Sequence, residues 1–144
     1  KEPYVIEYNC RLGDPETEVI MPRLKNDLVE LLEATAKGKL DTVKIENDER
    51  TACTIMAVSG GYPGSFEKGF AISGLAEPLP DDSLVFHAAT KKENGDVVTA
   101  GGRVLCVTSY SNKISSAAKK SKHVLEHINF EGMYYRRDIG YEFE

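Results

Sequence analysis

Cysteine is scarce in this chain: Cys10, Cys53 and Cys106 are three among 144 residues, odd in number and widely spaced. No CxxC pair occurs, so spacing supports neither a zinc site nor a disulfide framework. A reduced compartment is the simpler reading, and each thiol is expected to act as a small buried apolar residue. Long apolar runs are lacking too: nothing approaches the length of a transmembrane helix, and no signal peptide is visible. Positive charge is not in excess either. Eighteen Lys and Arg stand against 23 Asp and Glu, a formal net charge of −5. That balance argues against non-specific nucleic-acid binding, yet leaves room for a local basic pocket that holds an anionic metabolite. Internal repeats and low-complexity segments are absent. The first residue is Lys1 rather than Met, as expected of a fragment or a trimmed chain. The length suits one domain, or a small domain plus a piece of another.

What is present divides near residue 40. The stretch YVIEY at 4–8 is β-branched and aromatic and reads as a short strand. RLGDP then turns the chain. Pro15 fits the first helical position behind Asp14 as N-cap, which predicts a short helix over 15–23. A second helix, over 26–37, carries Leu28, Leu31, Leu32 and Ala36 on one face and stops at Lys37-Gly38. Residues 41–50 are mostly polar and make a boundary. A strand is predicted at 51–58, followed by the loop SGGYPGSFEKG and by short strands at 70–73, 83–87, 97–100 and 103–109. Asn94-Gly95 and Gly101-Gly102 are expected as tight hairpin turns. A helix is predicted over 113–129, with Ile114, Ala117, Ala118, Ser121, Val124, Leu125 and Ile128 on one stripe.

Few residues suggest chemistry. On a strand, Glu7 and Asn9 point to one side and present a carboxylate and an amide oxygen. These hard donors suit magnesium on nucleotide phosphates. Arg11, in line with them, would brace a negatively charged transferring group. E-x-N-x-R is too short to be specific, so on spacing alone a half-exposed edge strand with its polar side in water is the better reading. Asp14 is a helix cap or a substrate contact, the cap being preferred. The glycine-rich loop at 59–69 fails as a phosphate loop, because Phe70-Ala71 stand where Lys and Ser or Thr are required. His123 and His127 share a helix face, but no HExxH motif accompanies them, so a solvated face is the better reading. His87 is expected to make a structural hydrogen bond. No serine, cysteine and histidine arrangement suggests a nucleophilic triad.

The run EYNCRLGDPETE at 7–18 resembles the signature near the end of the ATP-grasp catalytic domain in the phosphoribosylamine–glycine ligase family. RTACTIMAVSGGYPGSFEKG at 50–69, VFHAAT at 85–90, GGRVLCVTSYS at 101–111 and YYRRDIG at 134–140 resemble the same family in the same order. The resemblance spans nearly the whole chain and corresponds to the last third of such an enzyme. It implies an α+β chain. Residues 1–40 would end an ATP-grasp domain, and 41–144 would form a small antiparallel β-rich C-terminal domain of the hybrid-motif kind with one helix.

It also implies a reaction of de novo purine synthesis in the cytoplasm. ATP phosphorylates the carboxylate of glycine, and the amine of 5-phosphoribosylamine attacks the acyl phosphate to give glycinamide ribonucleotide, ADP and phosphate. By this likeness, Glu7 and Asn9 are ligands of the magnesium or manganese bound with ATP, and Arg11 stabilises the phosphoryl group or the acyl phosphate. Tyr62, Gly64 and Lys68 would lie near the ribose phosphate. In related ATP-grasp enzymes a C-terminal arginine pair is associated with the sugar phosphate. That makes Arg136 and Arg137 substrate-binding candidates, with a salt bridge to Asp138 or the terminal glutamates as the alternative. The remaining ligase domains are expected upstream in the same parent chain, with neither nucleic acid nor membrane as a partner. The isolated chain is therefore expected to be inactive. The competing expectation is a freestanding module that reuses this domain to bind a sugar phosphate or a protein.

Overall fold

The computed structural model describes residues 2–8 and 10–143. Helix α1 (Thr17–Arg23) and helix α2 (Leu28–Ala36) come first, followed by a 3-10 turn at Leu40–Thr42. Strands β1 (Thr51–Val58), β2 (Ser83–His87), β3 (Thr90–Glu93), β4 (Asp96–Thr99) and β5 (Arg103–Ser111) then lead to helix α3 (Ile114–His127) and a last 3-10 turn at Tyr141–Phe143. β1, β5 and β2 form an antiparallel sheet in that order, and β3 with β4 form a separate hairpin. The architecture is α+β.

The sheet follows from its central strand. RVLCVTSYS in β5 is rich in β-branched residues, and every residue from Val104 to Tyr110 is buried. Strand alternation separates its two faces. Ile55, Ala57, Leu105 and Val107 join Val124 and Leu125 of α3, and Ile128 just beyond it, in the main core. Small side chains let α3 approach: Ala117, Ala118 and Ser121 are buried, and the Ser121 hydroxyl donates to the Cys53 carbonyl at 2.9 Å. On the opposite face α1 packs on β1 and β5, where the Thr108 hydroxyl donates to the Glu18 carbonyl at 2.9 Å. The approach of 73–75 to α3 needs glycine at 74. A Cβ there would stand 2.0 Å from the His127 carbonyl oxygen, and φ is +83°.

Several expectations are corrected. Residues 4–8 form no strand, and Tyr4 and Ile6 are 84% and 97% exposed. No neighbouring strand among the described residues takes up their backbone groups, and an unpaired strand is not stable. Asp14 is not a cap. α1 begins at Thr17 with Glu16 at the cap position, the Gly13 N–H donates to the Glu16 carboxylate at 3.1 Å, and Asp14 turns to Arg103 instead. Residues 70–73 make only isolated bridges, Ala71 to Val98 and Ser73 to Asn129. β3 was not foreseen, because Thr-Lys-Lys-Glu has no apolar alternation; Asn94 (φ 52°) and Gly95 (φ 96°) close its hairpin with β4 as expected. Gly101-Gly102 is no hairpin turn, since β4 and β5 lie in different sheets. Cys106 is buried, Cys53 half-buried, and Cys10 exposed rather than buried. His87 does make its local bond, to the Thr90 hydroxyl at 2.9 Å.

Candidate functional site

The α1 face of the sheet carries two adjoining clefts. Thr54, Met56 and Val58, alternate residues of β1, line the first. The free edge of β1 is covered near its end. The Val58 N–H donates to the Tyr134 carbonyl at 2.8 Å, and the Tyr134 N–H returns the bond to Val58 at 3.0 Å. This pairing brings Tyr134 and Arg136 to the rim. Tyr62 faces them from the glycine-rich loop, its ring lying on Gly102, where a Cβ would stand 2.1 Å from a ring carbon. The result is a largely apolar cleft of about 310 Å³. Beside it lies a polar cleft of about 430 Å³ lined by Glu7, Arg11, Asp14, Glu16 and Arg103. Arg103 belongs to both clefts.

Strict alternation does not explain where Arg103 points. Leu105 and Val107 face the α3 core, so Arg103, two residues earlier, would face it too. The pairing of β1 with β5 slips at this point: Ala57 opposes Leu105 while Val58 opposes Arg103, which makes a bulge. Such a bulge re-aims a side chain, and Arg103 lines the same cleft as Thr54, Met56 and Val58. The backbone around it is satisfied. Ser59 N–H donates to the Gly102 carbonyl at 2.8 Å, its hydroxyl to Gly101 at 2.9 Å, and the N–H groups of Ala88 and Ala89 donate to Val104 and Arg103, each at 3.0 Å. Arg103 donates to the Asp14 carbonyl at 3.0 Å and pairs with its carboxylate at 3.2 Å.

The clefts gather some of the expected residues and leave others aside. Glu7, Arg11 and Asp14 share the polar cleft, and Tyr62 and Arg136 share the apolar one. Asn9 lies outside the described residues. Gly64, Lys68 and Arg137 line neither cleft; the Lys68 ammonium sits 5.7 Å over the Phe66 ring and the Arg137 guanidinium 5.6 Å over the Tyr135 ring. Arg136 grips Asp138 through two bonds of 3.0 and 2.9 Å. That pairing raises the arginine's pKa and holds the Asp138 carboxyl below the usual range. The pair is solvated, so it stabilises the fold little and remains available to a competing anion.

Arg103 is the residue that sequence reading missed. A charge two places before core-facing Leu105, straight after Gly-Gly, is the signal that was there to be found.

The metal donors do not make a complete set here. Glu7 is exposed on an irregular segment, Asp14 is engaged by Arg103, and Glu16 is engaged by the Gly13 N–H. Among the described residues no three His, Cys, Asp or Glu converge, whereas magnesium demands a near-octahedral oxygen shell.

Comparison with known proteins points in one direction. The family model described as phosphoribosylglycinamide synthetase, C domain, matches residues 52–142. A phosphoribosylamine–glycine ligase of Vibrio vulnificus is 48% identical over 139 residues, covering 96% of this chain and 32% of that protein. The corresponding ligase of Pseudomonas aeruginosa shows the same identity and coverage. A bifunctional purine biosynthetic protein, PUR2,5 of Pichia angusta, is 45% identical over 97% of this chain and 18% of its own length. The solved phosphoribosylamine–glycine ligase of Thermotoga maritima superposes with a TM-score of 0.70 at 36% identity, over 95% of this chain and 33% of that one. The chain thus spans about a third of the length of the ligases it matches.

Proposed function

Since the chain belongs to the phosphoribosylglycinamide synthetase C-domain family, we propose that it is the C-terminal part of an ATP-dependent phosphoribosylamine–glycine ligase acting in de novo purine synthesis. The observation that carries this reading is the meeting of two regions far apart in sequence. Glu7 and Arg11 of the signature-like stretch share a cleft with Arg103 of the C-domain sheet, and that cleft adjoins one walled by Tyr62, Tyr134 and Arg136.

In this reading residues 1–40 end an ATP-grasp domain and 41–144 are the C-terminal domain, joined to upstream ligase domains in a cytoplasmic enzyme. The reaction has two steps. A glycine carboxylate oxygen attacks the terminal phosphorus of ATP, forming glycyl phosphate as ADP leaves. The amine of 5-phosphoribosylamine then attacks the carbonyl carbon; phosphate leaves with the C–O bond electrons and the nitrogen loses a proton. Arg11 would neutralise charge on the transferring phosphoryl group. Arg136, exchanging Asp138 for a phosphate monoester, would hold the sugar phosphate, with Tyr62 and Tyr134 against the ribose and Gly64, Lys68 and Arg137 as further substrate contacts. Glu7 and Asn9 would be this chain's share of the ligands to the magnesium or manganese that accompanies ATP. The donors present here leave that set incomplete, so the isolated chain is expected to bind ATP poorly and to catalyse no ligation.

Thermal-shift titration tests this assignment. Glycinamide ribonucleotide should raise the Tm, because a ligand that binds only the native state stabilises it by mass action, and ATP should leave the Tm unchanged. Stabilisation absent at millimolar product, or ATP-dependent ligation of glycine by this chain alone, would overturn the reading.

A further inference from the structure

We infer that Arg103 is a positioning residue for the Glu7–Arg11 segment, acting through Asp14; the catalytic meaning of this link rests on the ligase reading above. Three observations carry it. Among the described residues before Glu16, Asp14 is the one whose hydrogen bond or ion pair reaches the sheet, and Arg103 is its partner. Arg103 holds Asp14 at two points, main-chain oxygen and carboxylate, which fixes the direction of the turn as well as its distance. The bulge gives Arg103 a face that alternation would deny it, and the bonds from Ser59, Ala88 and Ala89 leave that backbone little freedom.

The geometry has a consequence for the cleft. Glu7 and Arg11 lie upstream of the turn at 14–16, and α1 lies downstream, anchored on the sheet by Thr108. Gly13 sits between them. With the Arg103 link in place the upstream segment faces the cleft floor; without it the segment is free to pivot about the turn. The ion pair is about two-fifths exposed on each side, so its effect on global stability is small. Its effect falls on local order.

Amide hydrogen exchange on this chain, wild type and the variants R103A, R103K and D14N, reads that order directly. R103A should speed exchange of the Gly13 and Thr17 amides, which donate to the Glu16 carboxylate and the Gly13 carbonyl, by about three- to fivefold, the range expected from losing a solvated ion pair and a charged hydrogen bond. β1, β5 and α3 should keep their protection. R103K should fall between, because an ammonium cannot reproduce the forked geometry. Unchanged exchange at both Gly13 and Thr17 in R103A overturns the inference.

A second arm uses the ligase with its upstream domains. R103K and D14N should lower kcat more than they change the KM for glycine, and the double variant should be no slower than R103K alone, because both act through one link. Additive losses in kcat overturn the inference. Absence of ligation by the wild-type ligase refutes the function proposed above, and the exchange result still decides the link.

Discussion

Three thiols occupy three environments, and their chemistry should differ accordingly. Cys106 is 0% exposed, and burial pushes its thiol up to about 11. Cys53 is half-buried and shifted the same way, again mainly by burial, while Cys10 is exposed. Iodoacetamide at pH 8 should therefore label Cys10 first and Cys53 slowly, and should reach Cys106 only on unfolding; peptide mass spectrometry checks the order. The Cys106 shift also has a sign. Its folded value lies above that of the unfolded chain, roughly 8.5 to 9. The stability it contributes is full below that range and is lost as pH rises through about 11. Urea midpoints should fall between pH 9 and 11 in the wild type and fall less in Cys106→Ala.

The helices differ in how much tertiary structure supports them. Leu125 of α3 is 1% exposed within the main core, so Leu125→Ala should cost about 2–5 kcal/mol in urea unfolding. Leu32 of α2 is exposed, and Leu32→Ala should change stability by less than about 0.5 kcal/mol. The α2 cap is a local matter: the Asp27 carboxylate accepts from the Val29 N–H at 2.7 Å, and Asp27→Ala should cost about 1 kcal/mol. Legibility in the sequence followed the same division. The stripe of α3 and the run at 51–58 were readable because one period, 3.6 or 2, matched one buried face. β3 was not readable, because Lys91, Lys92 and Glu93 are exposed and a polar hairpin leaves no periodic mark. YVIEY read as a strand on propensity alone, yet propensity cannot supply the partner that a strand requires.

Across the whole molecule, one charged network ties distant parts together. Arg50 pairs with Asp48 and with Asp82, lies 4.8 Å over the Tyr110 ring, and shares Asp82 with Lys120 of α3, while Arg23 of α1 donates to the Asp48 carbonyl. Hydrogen bonds from Arg50 hold Asp48 below the ordinary carboxylate range; Lys120 first, and then Arg50, do the same for Asp82. Both folded values lie below the unfolded one, about 3.9. Their contribution is present above that pH and is lost as pH falls through the lower folded values. The Tm should therefore drop below about pH 4, and Asp82→Asn should flatten that drop in a scan from pH 7 to 3.

Local order along the chain determined by itself where β1, β2, β5 and α3 lie, which stripe of α3 is buried, and that the residues near the N-terminus look like the end of a catalytic signature. Those features depend on side-chain period and on short motifs, which one segment carries alone. Tertiary structure decided the rest. It placed Asp14 on Arg103 across 89 positions, used a one-residue slip in register to turn Arg103 from the core to the cleft, and paired Tyr134 with Val58 so that Arg136 stands at the rim. Each of these depends on which backbone lies beside which, and that is settled only when the sheet closes.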